Sequence, residues 1–312
     1  MNKEKAAMNV VVTGGTGFIG RPLCLALCRD GHAVTLLTRR PPEAHQVFGS
    51  AVTVVGWNSR EGGAWEKTLE AADAVINLAG APIADARWTT ARKRLLTDSR
   101  VSTTRLLVEA LSRRPFKPRT LISASGIGCY GASDNRILEE GAARGQGFLA
   151  DLCLEWEAAA LAAASFGTRV GIVRTGMVLE QDGGALPKMV LPFRLFAGGP
   201  ILPGTQWVSW IHRRDHIGLI QWVLATSSVS GPVNAVAPGA VTMETFCDAL
   251  GQVLHRPSWL PVPGFALKAA LGELGTLMTT GQRVSPAKAL AGGYTFQYPT
   301  LDPALRAILT KA

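Results

Sequence analysis

The stretch Thr13-Gly14-Gly15-Thr16-Gly17-Phe18-Ile19-Gly20 constrains what this chain can fold into more than any other. It follows an apolar, β-branched run, Asn9–Thr13, and opens into a helical pattern, so a strand is expected to turn directly into a helix. Gly14, Gly17 and Gly20 recur at every third position, and each has a physical use. Gly14 can adopt backbone angles closed to other residues and so make a tight turn. Gly17 lets the main chain approach a diphosphate, and Gly20 lets the helix pack closely on the strand. A diphosphate held there meets free N–H groups and the positive end of the helix. Pro22 falls in the first helical turn, where a missing N–H costs little. Glycine spacing alone is a weak signal. Here the strand before, the helix after and a second strand about 20 residues on supply the context of a dinucleotide site.

That second strand ends in Thr38-Arg39-Arg40, with no acidic residue to grip a ribose 2′-hydroxyl. A guanidinium at Arg39 suits a 2′-phosphate instead, which favours NADP(H) over NAD. The competing reading is that Arg39 and Arg40 are ordinary surface charges. Further strand patterns are predicted at Ala33–Thr38 and at residues 52–55, 74–78, 120–123 and 169–174. Helical patterns fall between them at 19–30, 89–112 and 148–166. Strands alternating with helices imply βαβ units, hence a Rossmann-type, doubly wound α/β parallel sheet with helices on both faces. Burial on both sides accounts for the unbroken Val10-Val11-Val12. Beyond it come the loop signals Gly183-Gly184, Gly198-Gly199-Pro200 and Pro203-Gly204, a strand-like return at 233–236, and helices at Met243–Leu254 and 264–278. We expect a nucleotide-binding domain over 8–235, with 176–205 contributing to a second lobe, and a smaller, partly helical C-terminal lobe over 236–308.

The 312 residues carry a formal net charge of +9, dispersed over pairs and triplets such as Arg92-Lys93-Arg94 and Arg213-Arg214. No aromatic-rich RNA motif accompanies these clusters, so nucleic acid is not expected as a partner. Five cysteines in no C-x-x-C pairing argue against a disulfide framework and a zinc site, and Cys24 and Cys28 share a helix face as core residues. No metal site is expected. The longest apolar runs fall short of a membrane span, and Met1 to Met8, with Lys3, Glu4 and Lys5, reads as a short disordered lead-in with no apolar signal segment. The expectation is a cytosolic protein with a small-molecule substrate, no membrane partner, and an oligomeric state left open, a homodimer included.

From about Asn9 to Leu305 the chain resembles the extended short-chain dehydrogenase/reductases, and within them the atypical "epimerase family" proteins of subfamily 39U. The marks are Thr13–Gly20, Asn77-Leu78-Ala79-Gly80, Arg87-Trp88, Ser99-Arg100-Val101, Ser123-Ala124-Ser125, Trp156-Glu157, Arg174-Thr175-Gly176, Trp210 to Asp215, and the tail Gly281 to Pro299. The segment from about Leu260 resembles that group's small C-terminal domain. The resemblance implies cofactor contacts from the turn itself, Thr16, Phe18 and Ile19 with the three glycines. It adds Thr38 and Arg39 on the 2′-phosphate, Leu78, Ala79 and Gly80 beside the adenine ribose, and Arg100 reaching the cofactor. Without the resemblance, Arg100 reads as a mid-helix surface charge.

A typical member of that family uses a Tyr-x-x-x-Lys pair with an upstream Ser. The phenol passes a proton, the ammonium lowers its pKa, and the Ser hydroxyl orients the substrate oxygen. None of Tyr130, Tyr294 and Tyr298 has a lysine four residues on. Aligned on Glu157, the helix puts Leu149 at the Tyr position and Cys153 at the Lys position, and neither can do the work. Ser125 matches the family Ser, or else satisfies a strand end. Tyr130 is the best stand-in acid, with loop packing as the alternative. Cys153 reads as a buried, inert thiol rather than a reactive one, and Glu157 as a residue bonding to nearby backbone. His212 and Asp215 admit three roles: a network holding two lobes, substrate contacts, or an acid/base pair. Two functions follow. One is an NADP(H)-dependent oxidoreductase, or an enzyme resembling nucleoside-diphosphate-sugar epimerases, acting on an unknown small substrate. The other is a non-catalytic NADP(H)-binding sensor or assembly module.

Overall fold

In the computed structural model, which describes residues 7–114 and 118–310, the apolar runs pair into one parallel sheet. Most of the lead-in therefore lies outside the described residues. Numbering the central strands along the chain, β1 is Asn9–Thr13, β2 Ala33–Thr38, β3 Thr53–Gly56, β4 Ala74–Asn77, β5 Thr120–Gly126, β6 Arg169–Thr175 and β7 Gly231–Ala235. Their spatial order is β7-β6-β5-β4-β1-β2-β3, every neighbouring pair parallel. The order reverses between β1 and β4, and the carboxyl ends of these two strands open the crevice where such sheets take ligands. Helices Gly20–Arg29 and Arg213–Ala225 bury leucines and isoleucines on one face of the sheet. Thr103–Ser112 and Phe148–Leu161 cover the other. The doubly wound architecture expected from the strand–helix alternation is the one observed.

After β6 the chain leaves the sheet. Met177–Glu180 pairs with Trp210–His212 and with Gly183–Gly184, and Trp207–Val208 pairs with Val241–Thr242. Around these short strands a separate core forms from Phe193, Trp210, Phe246, Leu250 and Leu305. The chain returns for Arg213–Ala225 and β7, then finishes the second lobe with Met243–Leu254 and Leu301–Leu309. No described helix is long and apolar enough to cross a membrane.

Three predicted helices differ in detail. The one over 89–112 is Thr90–Thr97 and Thr103–Ser112 joined by a π-helical turn, Asp98–Ser102. In that wider turn the Ser99 hydroxyl accepts from the Ala81 amide at 3.0 Å, a bond to the loop after β4. The helix over 264–278 breaks into Gly264–Leu271 and Glu273–Thr279 at Gly272, whose φ of +62° no side-chain-bearing residue adopts cheaply. The one over 148–166 tightens after Leu161 into a 3-10 turn.

Asp215 and His212 serve the lobe-holding role among the three considered. The fully buried Asp215 carboxylate accepts the amides of Gln297 (2.7 Å) and Tyr298 (2.9 Å), pinning the returning tail. The His212 ring stacks on Tyr298 at 4.0 Å and accepts the Arg214 amide.

Next to them, His216 is buried, and among the described residues its hydrogen-bond partner is Thr175 Oγ1, at 3.0 Å. Burial pushes its pKa down from 6.5 to about 4. The unfolded chain therefore takes up a proton that the folded chain refuses between those values. Stability is complete above pH 6.5 and falls as the pH drops towards 4, by about 3 kcal/mol. Urea unfolding as a function of pH should show this acid loss, and the slope should vanish in His216→Leu.

Candidate functional site

The glycine turn is built from contacts that exclude a Cβ. Gly14 sits at φ +70°, and a Cβ there would lie 2.6 Å from the Leu78 carbonyl oxygen beyond β4. A Cβ on Gly20 would come within 2.2 Å of the Gly14 carbonyl oxygen, so the close packing that this glycine allows is of the helix on the turn itself. Gly17 differs: its Cβ would meet only the Gly14 oxygen, at 3.2 Å, and is otherwise in open space. The helix start has no side-chain cap, and the amides of Thr16, Phe18 and Ile19 have no partner among the described residues. Several unpaired amides at a helix start are the recipe for an anion site. The Phe18 ring is clamped between Gly183-Gly184, where a Cβ would press on it, and the Arg213 guanidinium at 5.0 Å.

At the end of β2, Thr38 is buried and its hydroxyl accepts the Arg40 amide at 3.2 Å. Arg39 is exposed, with no ion pair or hydrogen bond among the described residues. A cation with no carboxylate beside it is free to meet a phosphate. After β4, the Asn77 side chain turns inward, accepting from Thr13 and donating to Thr104, so of Asn77–Gly80 the part left to line a ligand is Leu78, Ala79 and Gly80. Arg100 is not a surface charge. It is buried against Gly80, donates to the carbonyls of Ala81 (2.8 Å) and Leu96 (3.2 Å), and lies 5.2 Å over the Trp156 ring. Burial lowers its pKa to about 10, and its Nε has no partner among the described residues.

At the carboxyl ends of β5 and β6 lies a buried polar chain. Ser125 Oγ donates to Glu157 Oε1 at 2.7 Å. Arg174, from β6, grips both carboxylate oxygens of Glu157 at 2.8 Å. The same guanidinium donates to the Tyr130 hydroxyl at 3.0 Å, and Tyr130 donates to Asn234 Oδ1 at 2.7 Å. Tyr130 is thus saturated on both sides and almost wholly buried, and burial pushes its pKa up to about 12. As a stand-in acid it would first have to give up its bond to Asn234. Among the described residues the partners of Glu157 are Ser125 and Arg174, not nearby backbone. The signal in the sequence was Arg174 itself, a charge at the end of an apolar strand, which needs a partner. Leu149 packs on Gly128, and the buried Cys153 thiol, its pKa raised by burial, approaches the Gly126 carbonyl at 3.6 Å.

A parallel sheet whose order switches at a glycine turn with unpaired amides defines a dinucleotide-binding α/β protein. The chain belongs to the NAD dependent epimerase/dehydratase family, whose profile matches residues 10–236. A Domain of unknown function (DUF1731) matches residues 262–308. Among relatives, the epimerase family protein SDR39U1 homolog, chloroplastic, of Arabidopsis thaliana is 42% identical over 99% of this chain and 88% of its own. The epimerase family protein YfhF of Bacillus subtilis is 40% identical over 97% and 98%. The crystal structure of human epimerase family protein SDR39U1 (isoform2) with NADPH superposes with a TM-score of 0.86 at 34% identity, covering 98% of this chain and 100% of that one. The subfamily resemblance carried by the motifs is borne out.

Removing one partner of the Glu157–Arg174 pair strands a charge in the interior. Glu157→Leu should lower the unfolding free energy by about 3–5 kcal/mol, and Glu157→Leu with Arg174→Met should restore most of it. Denaturant melts of the two variants check this, the double variant being the more stable.

Proposed function

We propose that the chain is an NADP(H)-dependent oxidoreductase in which Ser125 and Glu157 take over the work of the missing Tyr/Lys pair. The observation that carries this is the 2.7 Å bond from Ser125 to a carboxylate behind it. With its own proton given to Glu157, the Ser125 oxygen presents lone pairs, and so accepts a bond from a substrate hydroxyl. When bound, the nicotinamide takes or supplies a hydride. As an alcohol carbon gives up hydride, its O–H proton passes to Ser125 Oγ while the Ser125 proton passes to Glu157. Reduction of a carbonyl runs the same transfers backwards, and an epimerase-like cycle uses them out and back. Arg174, gripping both carboxylate oxygens, keeps Glu157 fixed behind Ser125.

Cofactor choice rests on the unpaired amides of Thr16, Phe18 and Ile19 for the diphosphate and on Arg39 for the 2′-phosphate. The NADPH held by the human relative agrees with it. Thr38, Leu78, Ala79 and Gly80 form the walls, and Arg100 stiffens the loop that carries Gly80 and Ala81. The second reading, a non-catalytic NADP(H) sensor, is favoured by Leu149 and Cys153 in the catalytic positions and by the committed hydroxyl of Tyr130.

Titration with both nucleotides should show NADPH bound more tightly than NADH. Arg39→Ala should weaken NADPH by about 10–100-fold and leave NADH unchanged. Against a panel of small carbonyls and alcohols, Ser125→Ala and Glu157→Gln should each cut turnover by about a hundredfold while still binding NADPH. Stoichiometric NADPH binding with no turnover on any member of the panel would assign the sensor function instead.

A further inference from the structure

Two segments of the second lobe, residues 183–214 and 249–272, contain no aspartate or glutamate, yet hold Lys188, Arg194, Arg256 and Lys268. The fold brings them together. Trp259 and Leu260 donate their amides to the Gly198 carbonyl, both at 3.0 Å, and Trp259 Nε1 donates to the Phe196 carbonyl at 2.9 Å. Leu202 donates to the Val262 carbonyl at 2.9 Å. The Arg256 guanidinium lies 4.4 Å over the Phe196 ring. The face so formed is apolar and open: Phe265 is 77% exposed, Leu195 68%, Trp259 64% and Phe196 57%. Helix Gly264–Leu271, apolar but for Lys268, buries none of its residues. Lys268 follows Phe265 by three positions and shares its side of that helix, as Leu191 and Leu195 share theirs. Phe196 holds φ +59°, a conformation a bulky side chain adopts only under constraint, and one that leaves its ring outside the core.

A monomer seldom leaves aromatic and aliphatic side chains grouped in the open without a partner. The cations choose among partners. Lys188, Arg194 and Lys268 are exposed, while of the carboxylates that border these segments Glu273 is paired with Lys93 at 2.5 Å, Asp248 shares a cavity with Arg256, and Glu244 stands at Gly204. Two copies meeting through this face would set like charges against each other in a self-complementary contact. An anionic bilayer complements both features at once: its headgroups take the cations and its acyl boundary takes the rings. Tryptophan is the residue best suited to that boundary. We propose that this face seats the protein reversibly on an anionic lipid surface, with Phe196, Trp259 and Phe265 entering the headgroup boundary and Arg194 and Lys268 on the phosphates. The composition excluded a membrane span but not such a seat, which needs no span.

Sedimentation of the full chain with vesicles tests it. Binding is expected to phosphatidylcholine vesicles containing phosphatidylserine and to be much weaker with phosphatidylcholine alone. Trp259→Ser with Phe265→Ser should lower the bound fraction by about tenfold or more, with NADPH affinity retained as the sign of an intact fold. Arg194→Glu with Lys268→Glu should remove the preference for phosphatidylserine. No binding to anionic vesicles overturns the proposal. Binding that both double variants leave unchanged also overturns it, since net charge alone would then be responsible. So does a concentration-dependent dimer, without vesicles, that Trp259→Ser with Phe265→Ser dissolves.

Discussion

A carboxylate and a guanidinium buried side by side set the terms for everything at the carboxyl edge of the sheet. Glu157 reaches up from its helix and Arg174 across from β6, and each pays its desolvation only because the other is there. Ser125 takes its orientation from Glu157, and Tyr130 is held by the far side of Arg174. Where a phenol and an ammonium would ordinarily share one helical face, the cation has moved to the strand and an acid stands on the helix opposite it. In the proposed function the chemistry moves accordingly, from a phenol that gives a proton to a hydroxyl backed by a carboxylate.

The nucleotide end of the crevice obeys a different constraint, which is space. Gly14 and Gly20 are glycines because backbone lies where a Cβ would be, whereas Gly17 is bare towards the open side. The first two shape the turn, and the third leaves it approachable. In the proposed function the turn amides and Arg39, which have no partners among the described residues, take the bridging diphosphate and the 2′-phosphate of one dinucleotide.

Much of this was legible along the chain. The β1 strand, the turn and the following helix are local, so spacing alone exposes them, and the sheet follows from strands repeating in register with helices. What escaped was pairing across long separations. Arg174 and Glu157 are 17 residues apart on different elements, and nothing in either neighbourhood names the other. Tyr130 looked available because a sequence does not reveal that Asn234, 104 residues on, accepts the hydrogen bond of its hydroxyl. The π-turn around Arg100 was hidden for a similar reason: the Ala81 amide that its Ser99 hydroxyl accepts lies on another loop. Gly272 was visible as a glycine, but a helix tolerates one, and only the crossing of Gly275 on Leu267, where a Cβ would fall 2.5 Å from a carbonyl oxygen, shows why the break belongs there.

The grip of Asp215 on Gln297 and Tyr298 ties a helix two-thirds of the way along the chain to its last stretch. Without residues 297 and 298 the carboxylate has no such amides to receive it and must stay hydrated. The sheet does not use them, but the seam between the lobes cannot close around a bare charge. A chain lacking residues 297 and 298 is thereby left with an uncompensated carboxylate at that seam, a joint that water must enter.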